Sequence, residues 1–476
     1  MKLGWSLLVL SLALSWNIRS QTIHISEEYE LRNDYSYDIL GRYGDRIIMM
    51  RNRLDKVYLQ FFDNEMNLRN EKEFKLEDRR YEIIGTVPGA NYFSIIYLYR
   101  QKGDVHLALQ QFDGYGVLID STHILKILVD KFISPKFDLV YSEDRTKALL
   151  YTETSDNRLE LSSIDLDKKL VLSEQVFKFE DFAASRLFDK AIITNSGNSI
   201  IVLSRTELAN RNEEPDIQIY EGLVGSDLFI PYNYYLQENY SLLTNSFTWD
   251  EINQCLVGAG LYAIKNLSRA EGLFSFRQCG TTADSQLVYT PLSEHVLSEL
   301  YGKSFSEVKG IPNLEMEDLV LREDGGFLAF SEIRKRYSRR NYLQERSIPG
   351  NTAFVSDFQY EDVLVFSIHP DGKTHWVSVL HKKQYSHDDN AVYSSYFIFR
   401  NPARIRLIYN DEISRENTVS EYVIQGNGHT VRSALMNTEY QRLQLRFKDA
   451  VQISPTEFII PSQRQLRLNL VKVNYQ

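Results

Sequence analysis

Only two of the 476 residues are cysteine, 11 are proline and six are methionine. A disulfide-dense scaffold that replaces a core with bridges is excluded at that cysteine count. A proline-rich, low-complexity chain is excluded as well. Positive charge is also in short supply, with 54 Lys and Arg against 64 Asp and Glu, a formal net charge of −10. A nucleic-acid partner asks for a basic face, so no nucleic acid is expected. After residue 20, no apolar run reaches the length of a membrane-spanning helix. What the chain has in plenty is aromatic side chains, 30 Tyr and 25 Phe. These suit the half-buried, pleated surface of a strand, so the chain is read as all-β.

The first 20 residues read as an address. Met1-Lys2 supplies a positive start, Leu7 to Leu14 an apolar stretch, and Ser20 a small residue before Gln21. That order predicts a secretory signal peptide over 1–20, with Ile18 a weaker fit than a smaller side chain near the cut. The mature part, 21–476, is expected to be a single domain exported to the periplasm or the cell exterior.

Cys255 and Cys279 flank an apolar run, a polar turn and a second apolar run. A hairpin folded at the midpoint of that spacing sets the two thiols opposite each other, close enough to bridge. A Cys255–Cys279 disulfide is therefore expected.

A short pattern recurs: an apolar residue, two more positions, an aromatic or Ile, then a polar residue entering a turn. It is clear at Leu59–Asp63, Leu109–Asp113, Leu161–Asp165 and Val365–His369. Looser copies end at Glu221, Arg277, Gln425 and Asn474. The final positions step by 50, 52, 56, 56, 92, 56 and 49 residues, so a single interval is anomalous. Around the first copy, Tyr35–Leu40, Arg46–Arg51, Val57–Phe62 and Leu68–Leu76 read as four short strands. Four-stranded meanders at this period predict a single β-propeller of eight four-stranded blades, with seven as the alternative count. The last unit, Leu443–Phe447, Thr456–Ile460 and Leu466–Val473, lacks an outer strand, while Thr22–Ser26 is left over at the start. The spare strand is expected to complete the last blade and close the ring.

Turn residues cluster at Tyr43–Asp45, Glu143–Lys147, Glu323–Gly326, Pro370–Lys373 and Asn401–Ala403. The longer connections, such as 126–136, 206–215, 280–313, 331–359, 383–390 and 411–418, all emerge on the opposite rim of a propeller. That rim is where function is expected. The two largest insertions, at about 280–313 and 334–360, are assigned to the sixth blade and account for the 92-residue step. Pro291–Tyr301 is read as a short helix capped by Ser293.

The second insertion carries Arg334, Lys335, Arg336, Arg339, Arg340 and Arg346, interleaved with Tyr337 and Tyr342. An anionic partner is one reading of this cluster. The other is a solvated β-arm whose cations pair with local Glu and Asp. Glu332, Lys383, Gln384, Asn410 and Asp411 are further rim candidates, because their strands end toward the same channel mouth. Mutual pairing that ties adjacent blades is the competing account of these. His369, His375, His381 and His387 recur at six-residue spacing, but fall at opposite ends of one strand pair, so no metal site is assigned. No catalytic residue and no cofactor is assigned either, since no familiar nucleophile, phosphate-loop or metalloprotease spacing is present.

The run Asp371-Gly-Lys-Thr-His-Trp376, with Lys382-Lys-Gln384, Asp388-Asp389, Tyr393-Ser-Ser395 and Ile408-Tyr-Asn-Asp411, resembles a pattern in secreted, largely uncharacterised propeller-like proteins of Gram-negative bacteria. Ser142-Glu-Asp-Arg-Thr-Lys147 resembles a turn in propellers of the periplasmic TolB type. The first match covers roughly the last third of the chain and the second is short. The resemblance implies an exported propeller of the bacterial envelope and no particular activity. The leading expectation is a monomer, or part of a complex, that binds a protein or glycan through its loop-rich rim. The rival is a hydrolase or lyase acting on an anionic polysaccharide, with carboxylates near the axis.

Overall fold

The computed structural model describes residues 21–475 except 33, 54–55, 77–80, 129–134, 207–213, 266–267, 281–286, 303–308, 341–353, 412, 414–417 and 438–442. Of residues 340, 354 and 437 it describes the backbone alone, and the expected signal peptide lies outside the described residues.

Among the described residues the strands form eight antiparallel sheets, each built on four strands in a meander, and one small two-stranded sheet, Arg269–Ala270 with Ile311–Pro312. Their inner strands contact one another in ring order, 34–43 against 81–88, then 138–141, 188–193, 240–250 and 314–321. This is an eight-bladed β-propeller. All eight copies of the recurring pattern fall on the third strand of a blade: 56–62, 104–113, 158–165, 217–222, 272–279, 354–368, 418–424 and 467–475.

The polar residue that ends the pattern has a local job. Asp63 accepts backbone N–H bonds from Glu65 at 3.0 Å and Asn67 at 2.8 Å. Asp113 does the same for Tyr115 and Val117, both at 2.8 Å. An Asp in this place satisfies the turn's own donors and fixes the reversal into the outer strand.

Alternation along each strand decides the packing. In blade one, Ile48 and Met50 join the cluster shared with Phe93, Ile95 and Tyr97 of blade two. Ile47 and Met49 join the cluster shared with Ile459, Leu468 and Leu470 of blade eight. Eight such clusters occur, one at each junction between neighbouring blades. No sheet buries both faces alone, so the ring is the unit of stability.

Closure follows the expected route. Gln21–Ile25 pairs antiparallel with Val471–Tyr475, setting Ile23 against Val473 and Ile25 against Val471. Tyr29–Glu30 then pairs with Arg467–Leu468. The N-terminal strand is thus the outer strand of the last blade.

Three expectations need correction. Leu443–Phe447 is not the inner strand of blade eight; apart from one bridge, Leu445 to Ser462, it runs as irregular chain into a 3-10 turn at Phe447–Asp449. Leu443, Leu445 and Phe447 are buried in the cluster between blades seven and eight. Core burial alone accounts for their alternation, and the inner strand is only Val451–Gln452. Segment 280–313 is not a single inter-blade loop of the sixth blade, because Val288–Pro291 pairs with Gly272–Ser275 as the outer strand of blade five. The helix Glu294–Tyr301 follows, capped by Ser293. Finally, the segments read as connections at 331–359 and 383–390 are largely strand. Phe327–Arg340 and Phe354–Ile368 pair as a long hairpin arm, and Gln384–His387 adds a third strand to it.

Candidate functional site at the loop-rich rim

Cys255 faces Cys279 across the second and third strands of blade five and is bonded to it. This staple lies at the tight-turn end of the ring. The loop-rich rim is organised around blade six, where two irregularities displace the ladder. A bulge at Glu317 interrupts the inner strand between Met316 and Asp318. A register shift between Glu332 and Arg334 turns the second strand away from the ring into the arm. Bulges re-aim side chains and bend strands. Here they gather Glu317, Glu332 and Arg334 in one place.

The gathered groups form closed pairs. Glu332 and Lys382 are fully buried and ion-paired. Arg334 Nε donates to Glu332 Oε2 at 2.6 Å, and Arg334 also pairs with Glu317. Its guanidinium lies 4.6 Å above the Tyr360 ring centre. Lys382 Nζ donates to Gln384 Oε1 at 2.6 Å. Gln384 Nε2 donates to the Asn410 carbonyl at 2.8 Å, and Asn410 Nδ2 to the carbonyls of Tyr393 at 3.1 Å and Leu445 at 2.8 Å. The chain of bonds runs from blade six through blade seven to the approach of blade eight. Tyr396 of blade seven donates to Asp318 Oδ2 at 2.9 Å.

Burial governs the electrostatics. It pushes the Glu317 carboxyl up to about 7; Arg334 opposes this, and Glu332, Asp318 and Glu315 add to it. Burial pulls the Lys382 ammonium below its usual range, against the attraction of Glu332. At Arg334 the same burial is outweighed by Glu332 and Glu317, so the guanidinium is held protonated more firmly than usual.

Glu332, Arg334, Gln384 and Asn410 are thus brought together. Lys383 is not; it is exposed, while Lys382 and Gln384 point inward. Asp411 faces the other way, to Arg432 at 2.5 Å and the Ser420 hydroxyl at 2.9 Å. Along the arm, Lys335 pairs with Glu361 at 2.7 Å, Arg336 with Glu315 at 3.0 Å and Arg339 with Asp357 at 2.6 Å. Arg340 is described only in its backbone and Arg346 lies outside the described residues. Sequence reasoning missed Lys382, Glu317 and Tyr360. The available signal was the strand alternation through 382, 384 and 386, which share one face.

Among the described residues, no group of three or more His, Cys, Asp and Glu is placed to hold a metal ion. The His369 and His375 rings lie 4.6 Å apart, while His381 sits beside Asp362 and Glu299. No helix among the described residues is long and apolar enough to cross a membrane.

No protein-family model matches the sequence, and comparison with curated proteins gives no match. Among solved structures, the chain is similar to BamB from Moraxella catarrhalis, at 10% identity and TM-score 0.41 over 94% of this chain and 99% of that one. It is similar to the β-propeller domain of the Trilobed protease from Pyrococcus furiosus, at 11% identity and TM-score 0.38 over 85% and 98% of the two chains. The polysaccharide lyase Uly1 is similar at 9% identity and TM-score 0.40 over 83% and 90%. Likeness at this level carries no argument about activity; the fold rests on the strand order of the chain itself.

Proposed function

We propose that the protein is an exported binding or scaffold propeller of the bacterial envelope, which engages a protein or glycan through its loop-rich rim and the blade-six arm. The observation that carries this reading is the closure of Glu332, Lys382 and Arg334 into mutual pairs. A catalytic acid or base must be within reach of substrate, whereas these groups are spent on one another and hold the arm at its point of departure. Arg336 and Arg339 remain more than half exposed while paired, at 54% and 58% of their side chains. They offer an incoming surface charge-assisted contacts at the arm's flank. The disulfide fits an oxidising compartment and the N-terminal sequence fits export.

A second reading, the polysaccharide-active enzyme, draws on one observation at the other end of the axis. Glu143 and Glu251 line a cavity of about 260 Å³ with Arg400. Burial first, and then Glu251, push the Glu143 carboxyl up. One experiment separates the two readings: capture from envelope extracts on the immobilised full chain, run beside a turnover assay on acidic and neutral polysaccharides. Binding without cleavage, with capture lost in Arg336→Glu/Arg339→Glu, is the expected outcome. Cleavage that disappears in Glu143→Gln makes the protein an enzyme.

A further inference from the structure

We infer that a cleft in the loop-rich rim, at the seam between blades eight and one, binds a carboxylated sugar residue of a glycan. This deepens the binding reading above and rests on it. The cleft has a structural cause. Blade eight has only Val451–Gln452 as its inner strand, preceded by a 3-10 turn, where blade one has the ten-residue strand Asp34–Tyr43. The shortfall leaves a cavity of about 590 Å³ between the two blades. That volume is in the range of small-molecule sites.

Its polar lining is suited to a carboxylate on a ring. Tyr35, Tyr37, Arg446, Lys448 and Gln463 all line it. Arg446 is held in place by Asp449, at 2.5 Å from Nε, and by the Gln463 side-chain oxygen, at 2.7 Å from Nη1. Lys448 is exposed and, among the described residues, has no ion-pair partner.

The carboxylates nearby are already engaged. Asp34 is paired with Arg51 and Arg53, Asp449 with Arg446, and Asp38 accepts from Thr86 and is pushed up by burial. Of the cations that line the cleft, Lys448 is the one with no carboxylate partner among the described residues.

The Tyr37 hydroxyl is buried with no hydrogen-bond partner. Such a group is costly unless something supplies the acceptor. Burial, partly offset by Arg446, pushes its phenol up to about 12, so it remains a donor at neutral pH. A carboxylate placed there supplies the acceptor that Tyr37 lacks and the counter-charge that Lys448 lacks, with the Arg446 guanidinium, already held by Asp449 and Gln463, beside it. Tyr35, 71% exposed at the mouth, offers a flat aromatic face of the kind on which the apolar face of a pyranose packs. Leu31 and Ile39 close the cleft with apolar surface.

The test is calorimetric titration of the full chain with oligomers of galacturonate and of mannuronate. Galactose oligomers serve as the neutral control and tetraglutamate as an acidic peptide. At least one uronate oligomer is expected to bind saturably, and its neutral counterpart about tenfold more weakly or worse. Tyr37→Phe and Lys448→Met, which keep ring and stem, should each weaken uronate binding about tenfold with melting temperature unchanged. Failure of both uronate series, equal affinity for the neutral oligomer, tighter binding of the peptide, or unchanged binding in both variants overturns the inference. Capture that still depends on Arg336 and Arg339 in that event leaves the wider reading of the rim standing, so the two failures are distinguishable.

Discussion

Blades five and six are neighbours that share one apolar cluster, and each ties its second strand to a later segment of the blade by opposite means. In blade five, Cys255 and Cys279 are covalently bonded at the tight-turn end. In blade six, Glu332 on the second strand holds Lys382, which follows the outer strand, in a buried position at the loop-rich end. A disulfide acts chiefly by restricting the unfolded chain and asks little of its surroundings. A buried ion pair loses hydration on both partners and persists only where further bonds complete it. Arg334 and Gln384 supply those bonds here. The lesson is positional. The covalent staple sits where the chain turns tightly, and the demanding polar cluster sits where the arm leaves the ring and its direction must be set.

The comparison can be broken most severely at Lys382. Lys382→Met leaves Glu332 a buried charge with one of its two cations gone and should cost about 3–5 kcal/mol in chemical denaturation. The double variant Glu332→Leu/Lys382→Met should recover most of that loss. If the single change is silent, the pair does not organise the blade. Next in size is the staple, for which Cys255→Ser/Cys279→Ser should cost about 3 kcal/mol, given the loop it closes. Thiol titration of the denatured, unreduced protein should find no free cysteine.

The smallest effect is the share of the pH dependence that Glu317 of blade six contributes. The Glu317 carboxyl is raised from its ordinary value of 4.5 to about 7 in the folded protein. Folding therefore favours its protonated form, and that contribution is complete below the ordinary value and is lost as pH rises through about 7. Glu317→Gln should flatten the fall in stability between pH 5 and pH 8 by about 1–2 kcal/mol, a figure reduced for the neighbouring Arg334. An unchanged profile removes Glu317 as its source. The covalent staple of blade five predicts no such dependence.

Much of the ring was legible beforehand because its signals are local. Asp63, Asp113 and Asp165 mark third strands because each bonds the turn that follows, a requirement visible within five residues. The leftover strand at 22–26 was legible for a different reason, since an unpaired edge has to go somewhere. The site was less readable. Lys383 was chosen and Lys382 does the pairing, because alternation states that neighbours face opposite sides without stating which side is inside. Leu443–Phe447 misled in the same manner, since burial without a ladder leaves the same trace as a strand.

The order of residues alone thus determined the period, the blade, the closing strand and the partnership of the cysteines. Each of these follows from which groups must be paired or hidden within a short stretch of chain. Only the tertiary structure decided that the arm's cations are neutralised by carboxylates up to 26 residues away, as Lys335 is by Glu361 across the hairpin. It also opened the cleft between Tyr37 and Arg446, whose positions lie at opposite ends of the sequence. Charges and cavities depend on distances through space, and those distances exist only once the first and last blades have met.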